Sequence, residues 1–317
     1  WQQEYIPNEV RGKYSAYSNI LVSLSGILAV SVAGYLLGRV EGLSGYVILF
    51  GLGVFFGLLA TYLASFIPGG APAQAAPSTL SRQGGFFSTF KDRSFQRYLL
   101  GVGLLTLATG PMLSFLPLYM QEEVGLSPGN VVLLQTGTLI GSLLTSFLWG
   151  WMADRYGSRL VMLSGMFLNI TLPVWWIIMP RMSSVRLYVA LAIAFLQGIA
   201  SGGWGIGSGR FLYVNLIPNE RKLLYLSQYN AWVGLIGGVS ALLGGQLLDS
   251  LSGFQTELLG MTAGPYTILF ALGFFGPLIA GLLLGSIPAE GEISVGKFAG
   301  LFLHGNPLLA AESLVRY

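Results

Sequence analysis

Apolar residues along this 317-residue chain gather into eight long blocks separated by polar segments. The blocks cover Ser15–Leu37, Gly45–Phe66, Tyr98–Met120, Asn130–Met152, Leu160–Met179, Leu187–Gly209, Leu224–Leu248 and Pro265–Ile287, and none holds Asp, Glu, Lys or Arg. About 20 such residues cross the hydrocarbon of a bilayer as a helix, the form in which a segment satisfies its own backbone where water is absent. The pattern predicts an all-α integral membrane bundle with eight transmembrane helices. Pro111, Pro117, Pro173 and Pro277 fall inside blocks, which a membrane helix tolerates because its neighbours satisfy the freed backbone groups. The stretch before the first block is a polar loop without the pattern of a signal peptide.

Composition supports the same reading. The chain is 53% hydrophobic and 9% charged, with mean hydropathy +0.68, against about 25% charged residues in soluble domains. Charge this sparse cannot coat a water-facing surface, so the predicted partner is the lipid bilayer. There is no cysteine, which excludes disulfides and thiolate metal sites. A pI near 9.1 raises the question of nucleic acid until the cations are mapped. Of 16 Lys and Arg, Arg39, Arg181 and Arg186 fall on one side of the predicted bundle. The other 13 fall on the side that carries the first loop. Loops rich in Lys and Arg stay in the cytoplasm, so both termini are expected there, in a plasma (inner) membrane protein. Topology accounts for the basic pI, and no nucleic-acid partner is needed.

The longest polar segment begins "PGGAPAQAAPSTLSRQGG", a flexible linker by composition. It continues as the basic, aromatic "FFSTFKDRSFQR", suited to a short helix at the membrane surface more than to a calmodulin-like partner. The expected organisation is 1–66 as two helices ending a first bundle, 67–97 as cytoplasmic linker, 98–287 as a six-helix bundle and 288–317 as cytoplasmic tail. A shift of 211 residues without gaps superposes Ile6, Pro7, Asn8 and Glu9 on Ile217, Pro218, Asn219 and Glu220. It also brings Arg11 to Lys222, Tyr14 to Tyr225, Asn19 to Asn230, Gly26 to Gly237 and Gly34 to Gly245. Proline and an acidic residue both favour a helix start, so convergence could account for "PNE" alone. It does not account for the asparagines and glycines in phase. Six spans separate the copies, an even number, so the repeat is parallel, as in transporters built from two six-span halves. The second copy follows four spans of its own half and the first follows none. The expectation is therefore that four spans precede Trp1, in a fragment, or that half a bundle is missing from an eight-span protein.

Between the fourth and fifth spans lies "GWMADRYGSR", Gly150 to Arg159. Gly150 would allow close helix approach, Asp154 would complement a helix N-terminus, and Gly157 would allow a tight turn with positive φ. Arg155 and Arg159 would pair with carboxylates. The constellation resembles the G-x-x-x-D-R-x-G-x-R loop signature of the major facilitator superfamily. "FLPLYMQEEVGLSPGNVVLL" and "FKDRSFQRYLL" resemble that family's seventh-to-eighth span connection and its lead into the seventh span. The resemblance implies a major-facilitator-like bundle whose eight spans are helices five to twelve. It also implies a secondary transporter that moves a small solute by alternating access.

On that resemblance the loop acts as a gate latch, with Gly150, Asp154, Arg155, Gly157, Arg159, Arg210, Glu220, Glu9 and Arg11 as its residues. Asp154 is expected near Gly12–Ser15, and Arg155 or Arg159 against Glu220; the blander reading has these charges only fixing topology. For Arg210 that reading is snorkelling. The resemblance places the cavity on helices one, four, seven and ten. The candidates present are Thr109 and Tyr119 from the seventh and Gln197, Ser201 and Trp204 from the tenth, with Gln135 and Asn230 as further polar groups in spans. Each polar group serves equally as an interhelical hydrogen-bond partner. The run "SGGWGIGSG" lacks the Lys-Ser/Thr of a phosphate loop and fits helix packing better.

No span carries an acid, and the one histidine, His304, lies in the tail. A proton relay needs an intramembrane ionisable group, so any coupling carboxylate is expected in helices not present. "GILAVSVAGYLLG" lacks the Gly-Pro pair of drug antiporters, and "IPNER" departs from the sugar-porter loop. With no nucleophile–base pair or metal cluster, an enzyme is not indicated, and neither metal nor cofactor is expected. A non-transporting assembly factor or sensor on the same fold is the rival reading. Substrate and oligomeric state are not legible.

Overall fold

The computed structural model describes residues 11–40, 43–66, 89, 92–181, 183–218, 221–254, 256–258 and 261–288, with side chains undescribed at 11–20, 223, 256–258 and 261–263. The helices are α1 (Arg11–Arg39), α2 (Ser44–Ser65), α3 (Arg93–Glu122), α4 (Pro128–Tyr156), α5 (Ser158–Ile178), α6 (Arg186–Phe211), α7 (Lys222–Ser250) and α8 (Pro265–Gly285). All eight carry a segment long and apolar enough to cross a membrane. At 1.5 Å per residue even the 21 residues of α5 or α8 match a hydrocarbon core of about 30 Å. The fold is all-α, as the pattern predicts, apart from one short hairpin that the pattern does not reveal. Strands β1 (Thr256–Leu258) and β2 (Met261–Ala263) pair antiparallel between α7 and α8.

Local chemistry fixes several helix ends. The Asp92 carboxylate accepts from the backbone N–H groups of Ser94 (3.0 Å) and Phe95 (3.2 Å) and caps α3. The cap starts that helix at Arg93, so the end of "FFSTFKDRSFQR" is the first turn of a spanning helix and not a separate surface element. Thr89, just before it, is buried and donates a hydrogen bond to the Gln228 side chain on α7. Ser127 caps α4, with Pro128 as its first residue. Proline also opens α8, where its missing N–H costs nothing. The interior prolines of α3, α5 and α8 are accommodated within continuous helices. Past Phe211, α6 widens into a π-helical turn, Leu212–Leu216.

Helices α3 to α8 form one bundle. α6 packs against α4 and α5, α3 packs against α7 and α8, and α5 meets α8. Exchanging the triplet α3–α5 with the triplet α6–α8 reproduces these pairings. Three spans separate equivalents, an odd number, so the triplets cross the membrane in opposite directions: an inverted repeat nested in the bundle. Of its three apolar clusters, the smallest lies around Trp149, Met152 and Val161 where α4 meets α5, and the two larger ones divide the bundle lengthwise. One, around Phe95, Tyr98, Met162, Phe211 and Leu284, lies toward the end that carries most cations, here the basic end. The other, around Met112, Tyr119, Trp176, Ile193 and Phe270, lies toward the far end. α1 packs along α4, whereas α2 meets only α1 to any extent and turns apolar side chains outward all round.

Several glycines of α6, within the run and before it, serve close packing. A Cβ on Gly207 would stand 2.6 Å from Met162 Cα of α5, and one on Gly198 2.8 Å from the Thr138 carbonyl carbon of α4. Only glycine admits backbones this close.

Candidate functional site

At the basic end, α4 turns into α5 through Gly157, whose φ of 99° strains any residue with a Cβ. The turn is tight enough to set Asp154 and Arg159 on either side of it. Arg159, in the first turn of α5, donates to the carbonyls of Gly285 (2.6 Å) and Ile287 (2.9 Å) at the end of α8. Those oxygens lack intrahelical donors and sit at the negative end of the helix dipole, so a forked cation serves both. Asp154 pairs with Arg210 near the end of α6. The Arg155 guanidinium lies over the rings of Trp151 (5.5 Å) and Tyr156 (5.9 Å), a geometry that favours a cation over an aromatic face. α4, α5, α6 and α8 are thus tied together at one membrane face.

In one respect this arrangement differs from the sequence expectation. Gly150 does not mediate a close approach: a Cβ there would meet no atom within 4 Å. The close backbone contacts are made instead by glycines of α6, such as Gly203 and Gly207 against α5. Asp154 has Arg210, on the same bundle, as its ion-pair partner. Glu9 and Glu220 lie outside the described residues, as do the side chains of Arg11 and of Gly12–Ser15 as a group.

In the half of the bundle nearer the far end, a cavity of about 230 Å3 opens between α3, α4, α5 and α6. Gln135 and Thr138 of α4, Gln197 of α6 and Trp176 of α5 stand on its wall among apolar side chains such as Leu116 and Val131. Two of the candidates named from sequence, Gln135 and Gln197, meet here. Gln135 is exposed and Gln197 half-buried, so amide groups are available in an otherwise apolar environment.

The remaining candidates are placed elsewhere. Tyr119 is 1% exposed; it donates to the Trp176 carbonyl (3.0 Å) and accepts from Arg181 (3.4 Å). A buried hydroxyl needs a partner, and these contacts hold Tyr119 in the core and not on a cavity wall. Trp204 packs against the basic-end cluster. Thr109 donates to the Leu105 carbonyl of its own helix (2.8 Å). Ser201 and Asn230 are exposed on α6 and α7. Sequence reading did not single out Trp176 or Thr138. Thr138 lies one helical turn from Gln135, a spacing visible in the sequence, but no local signal distinguishes Trp176 from the adjacent Trp175, which is exposed.

A seam joins the helices at the far end too. Arg181 pairs with Glu123 (3.0 Å), Tyr266 donates to Glu122 (2.5 Å), and Arg186 donates to the Val124 carbonyl (3.2 Å). Among the described residues no cluster of His, Asp or Glu could hold a metal ion.

Comparison with known proteins agrees with the bundle and its loop. The chain is 25% identical over 210 residues to the cis,cis-muconate transport protein of Acinetobacter baylyi. That alignment covers 63% of this chain and 49% of the relative, so the chain spans about half the relative's length. A sequence profile described as Major Facilitator Superfamily matches residues 98–311, about two thirds of the chain, which embraces all but the first turn of α3, the whole of α4 to α8 and the Gly150–Arg159 loop. Eight apolar helices, the nested inverted repeat and this match together establish that the chain belongs to the Major Facilitator Superfamily.

Proposed function

We propose that this protein carries a small organic solute across a cytoplasmic membrane by alternating access. The observation that carries the reading is the cavity walled by Gln135, Thr138, Trp176 and Gln197 inside an apolar bundle. Polar groups at that depth are costly, and a transported solute gives them a use. The basic end faces the cytoplasm, because cations collect there. Asp154, Arg155, Arg159 and Arg210 act as the latch on that face. They fasten α4 to α6 and α5 to α8, so the six helices move as one body while the cavity changes the side to which it opens. Gln135 and Gln197 contact the solute. Glu9, Arg11 and Glu220 extend the latch toward the segments preceding α1 and α7, by the 211-residue repeat. The relative transports cis,cis-muconate, which makes an unsaturated organic acid the first solute to test.

Uptake of radiolabelled cis,cis-muconate into proteoliposomes, and counterflow with unlabelled muconate inside, test the proposal. Concentration-dependent uptake that Gln197→Leu reduces severalfold is expected. Binding without uptake or counterflow would favour a sensor on the same fold.

A further inference from the structure

A second, larger cavity lies apart from the one that holds Gln135 and Gln197. It is a cleft of about 730 Å3 between α7 and α8, floored by α3, within the roughly 300–1,000 Å3 of pockets that take organic ligands. α7 and α8 both pack on α3 but scarcely meet each other. Small residues seat them there: Gly276 of α8 lies against Ala108, and a Cβ on Gly244 of α7 would stand 2.9 Å from Pro111 Cβ.

The nested repeat supplies an internal comparison. α4 and α5 pack on α6 as α7 and α8 pack on α3, but Trp149, Met152 and Val161 fill the space between α4 and α5. The Trp149 indole donates to the Ile199 carbonyl of α6 (2.9 Å). α4 and α7 have 29 residues each, and the position that Trp149 holds in α4, counted from the helix start, is held by Leu243 in α7. The α7–α8 cleft is therefore open where its counterpart carries an indole.

The rim of the cleft is apolar and exposed, at Leu243, Leu272, Phe275 and Ile279. All four lie within spans, so the cleft is open to a molecule that enters from the hydrocarbon. At 1.5 Å per residue, Leu272 and Ile279 lie about 10 and 20 Å from the start of α8 at the far end, which brackets the ~15 Å of hydrocarbon in one leaflet. The far end of the cleft is polar. Gln246 and Ser250 line it one helical turn apart, and exposed Asp249 stands beside them at the end of α7. The Gln246 amide offers two N–H donors to phosphate or ester oxygens. The Asp249 carboxylate attracts an ammonium group and repels an anionic one.

We propose that this cleft binds one phospholipid of the leaflet at the far end, with an acyl chain laid along α3 and an ammonium-bearing headgroup at Gln246, Asp249 and Ser250. An apolar trough one leaflet deep, with donors and a carboxylate at its mouth, complements such a molecule along its whole length. The site is separate from the solute cavity and does not depend on which solute is carried.

The test places the full chain in nanodiscs that contain phosphatidylethanolamine with a diazirine midway along one acyl chain. After photolysis the labelled residues are mapped by mass spectrometry. Labelling of Ile279 is expected to exceed severalfold that of Phe167, an exposed apolar residue of α5 outside the cleft. Leu243→Trp, which supplies the indole that α4 carries, is expected to cut labelling of Ile279 at least threefold and to leave Phe167 unchanged. Leu107→Trp, filling the cleft from α3, is expected to do the same. Both residues are exposed, and an unchanged unfolding temperature shows that each variant is folded. The same probe with a phosphatidylglycerol headgroup is expected to label Ile279 severalfold less, and Asp249→Asn to narrow that difference. Equal labelling of Ile279 and Phe167, unaltered by either tryptophan, means ordinary lipid contact and overturns the proposal. Labelling of Phe167 without any in the cleft means that another helix covers it, and overturns the proposal as well. Loss of the Ile279 label on adding muconate makes the cleft a solute site and overturns the lipid assignment. Equal labelling by the two headgroups overturns the assignment of the ammonium group to Asp249.

Discussion

Arg159 serves two backbone oxygens of α8 at once, through two different nitrogens. Charge-assisted bonds of this kind are worth about 1.5–3 kcal/mol each, and a lysine point charge cannot reproduce the fork. Arg159→Ala is expected to lower stability by about 2–4 kcal/mol, with Arg159→Lys recovering less than half, read from thermal unfolding in detergent. Asp154 and Arg210 pose the opposite case. Their side chains are 68% and 38% exposed, and exposed pairs contribute about 0–1 kcal/mol. Any importance of the pair therefore lies in where it holds α4 and α6, not in stability. Asp154→Ala is expected to leave the unfolding temperature nearly unchanged and to cut uptake several-fold. The double exchange Asp154→Arg with Arg210→Asp should restore more uptake than either single change. If both singles transport at the wild-type rate, the latch reading is wrong. The charged residues and the turn glycine of this loop were legible in the sequence. The partner of Asp154 was not, because an ion pair between residues 56 positions apart depends on how α4 and α6 cross.

Glycines in the helices divide by what they face. Gly207 stands against the backbone of α5, whereas a Cβ on Gly205, two residues earlier, would meet nothing within 4 Å. Gly207→Leu is expected to destabilise the bundle by about 1–3 kcal/mol or more through overpacking, and Gly205→Leu to change it little. A comparable loss in both would show that helix propensity and not packing governs α6. The repeat gives a second contrast. Gly26 and Gly34 of α1 lie against Leu139 and Leu133 of α4, while their sequence equivalents on α7 do not share that setting: Gly237 meets nothing and Gly245 only the edge of the Phe115 ring. Sequence displays the four glycines as equal. Their contacts differ because α1 and α7 have different neighbours among the described helices.

At the scale of the whole molecule, the distribution of Lys and Arg predicts an orientation in the membrane. The chain has no cysteine, so single cysteines introduced at exposed Ser184, at the far end, and exposed Ser286, at the basic end, report topology directly. A membrane-impermeant maleimide is expected to label Ser184→Cys in intact cells and Ser286→Cys only after the membrane is opened. The reverse pattern would place the basic end outside. The number of spans, their rough limits and the parallel repeat can be read from residue order alone. Long uncharged blocks admit no other backbone-satisfying form in lipid, and a shared offset survives in the letters. The nested inverted repeat left no comparable trace. It lies in which helices touch, and many apolar sequences satisfy the same contact. Tertiary structure decided the rest. It buried Tyr119 in the core, packed the half-buried Trp204 against the basic-end cluster, and gathered Gln135, Thr138 and Gln197 from two helices. It also left the Trp176 indole N–H without a hydrogen-bond partner among the described residues, since burial and hydrogen bonding depend on neighbours that sequence does not place.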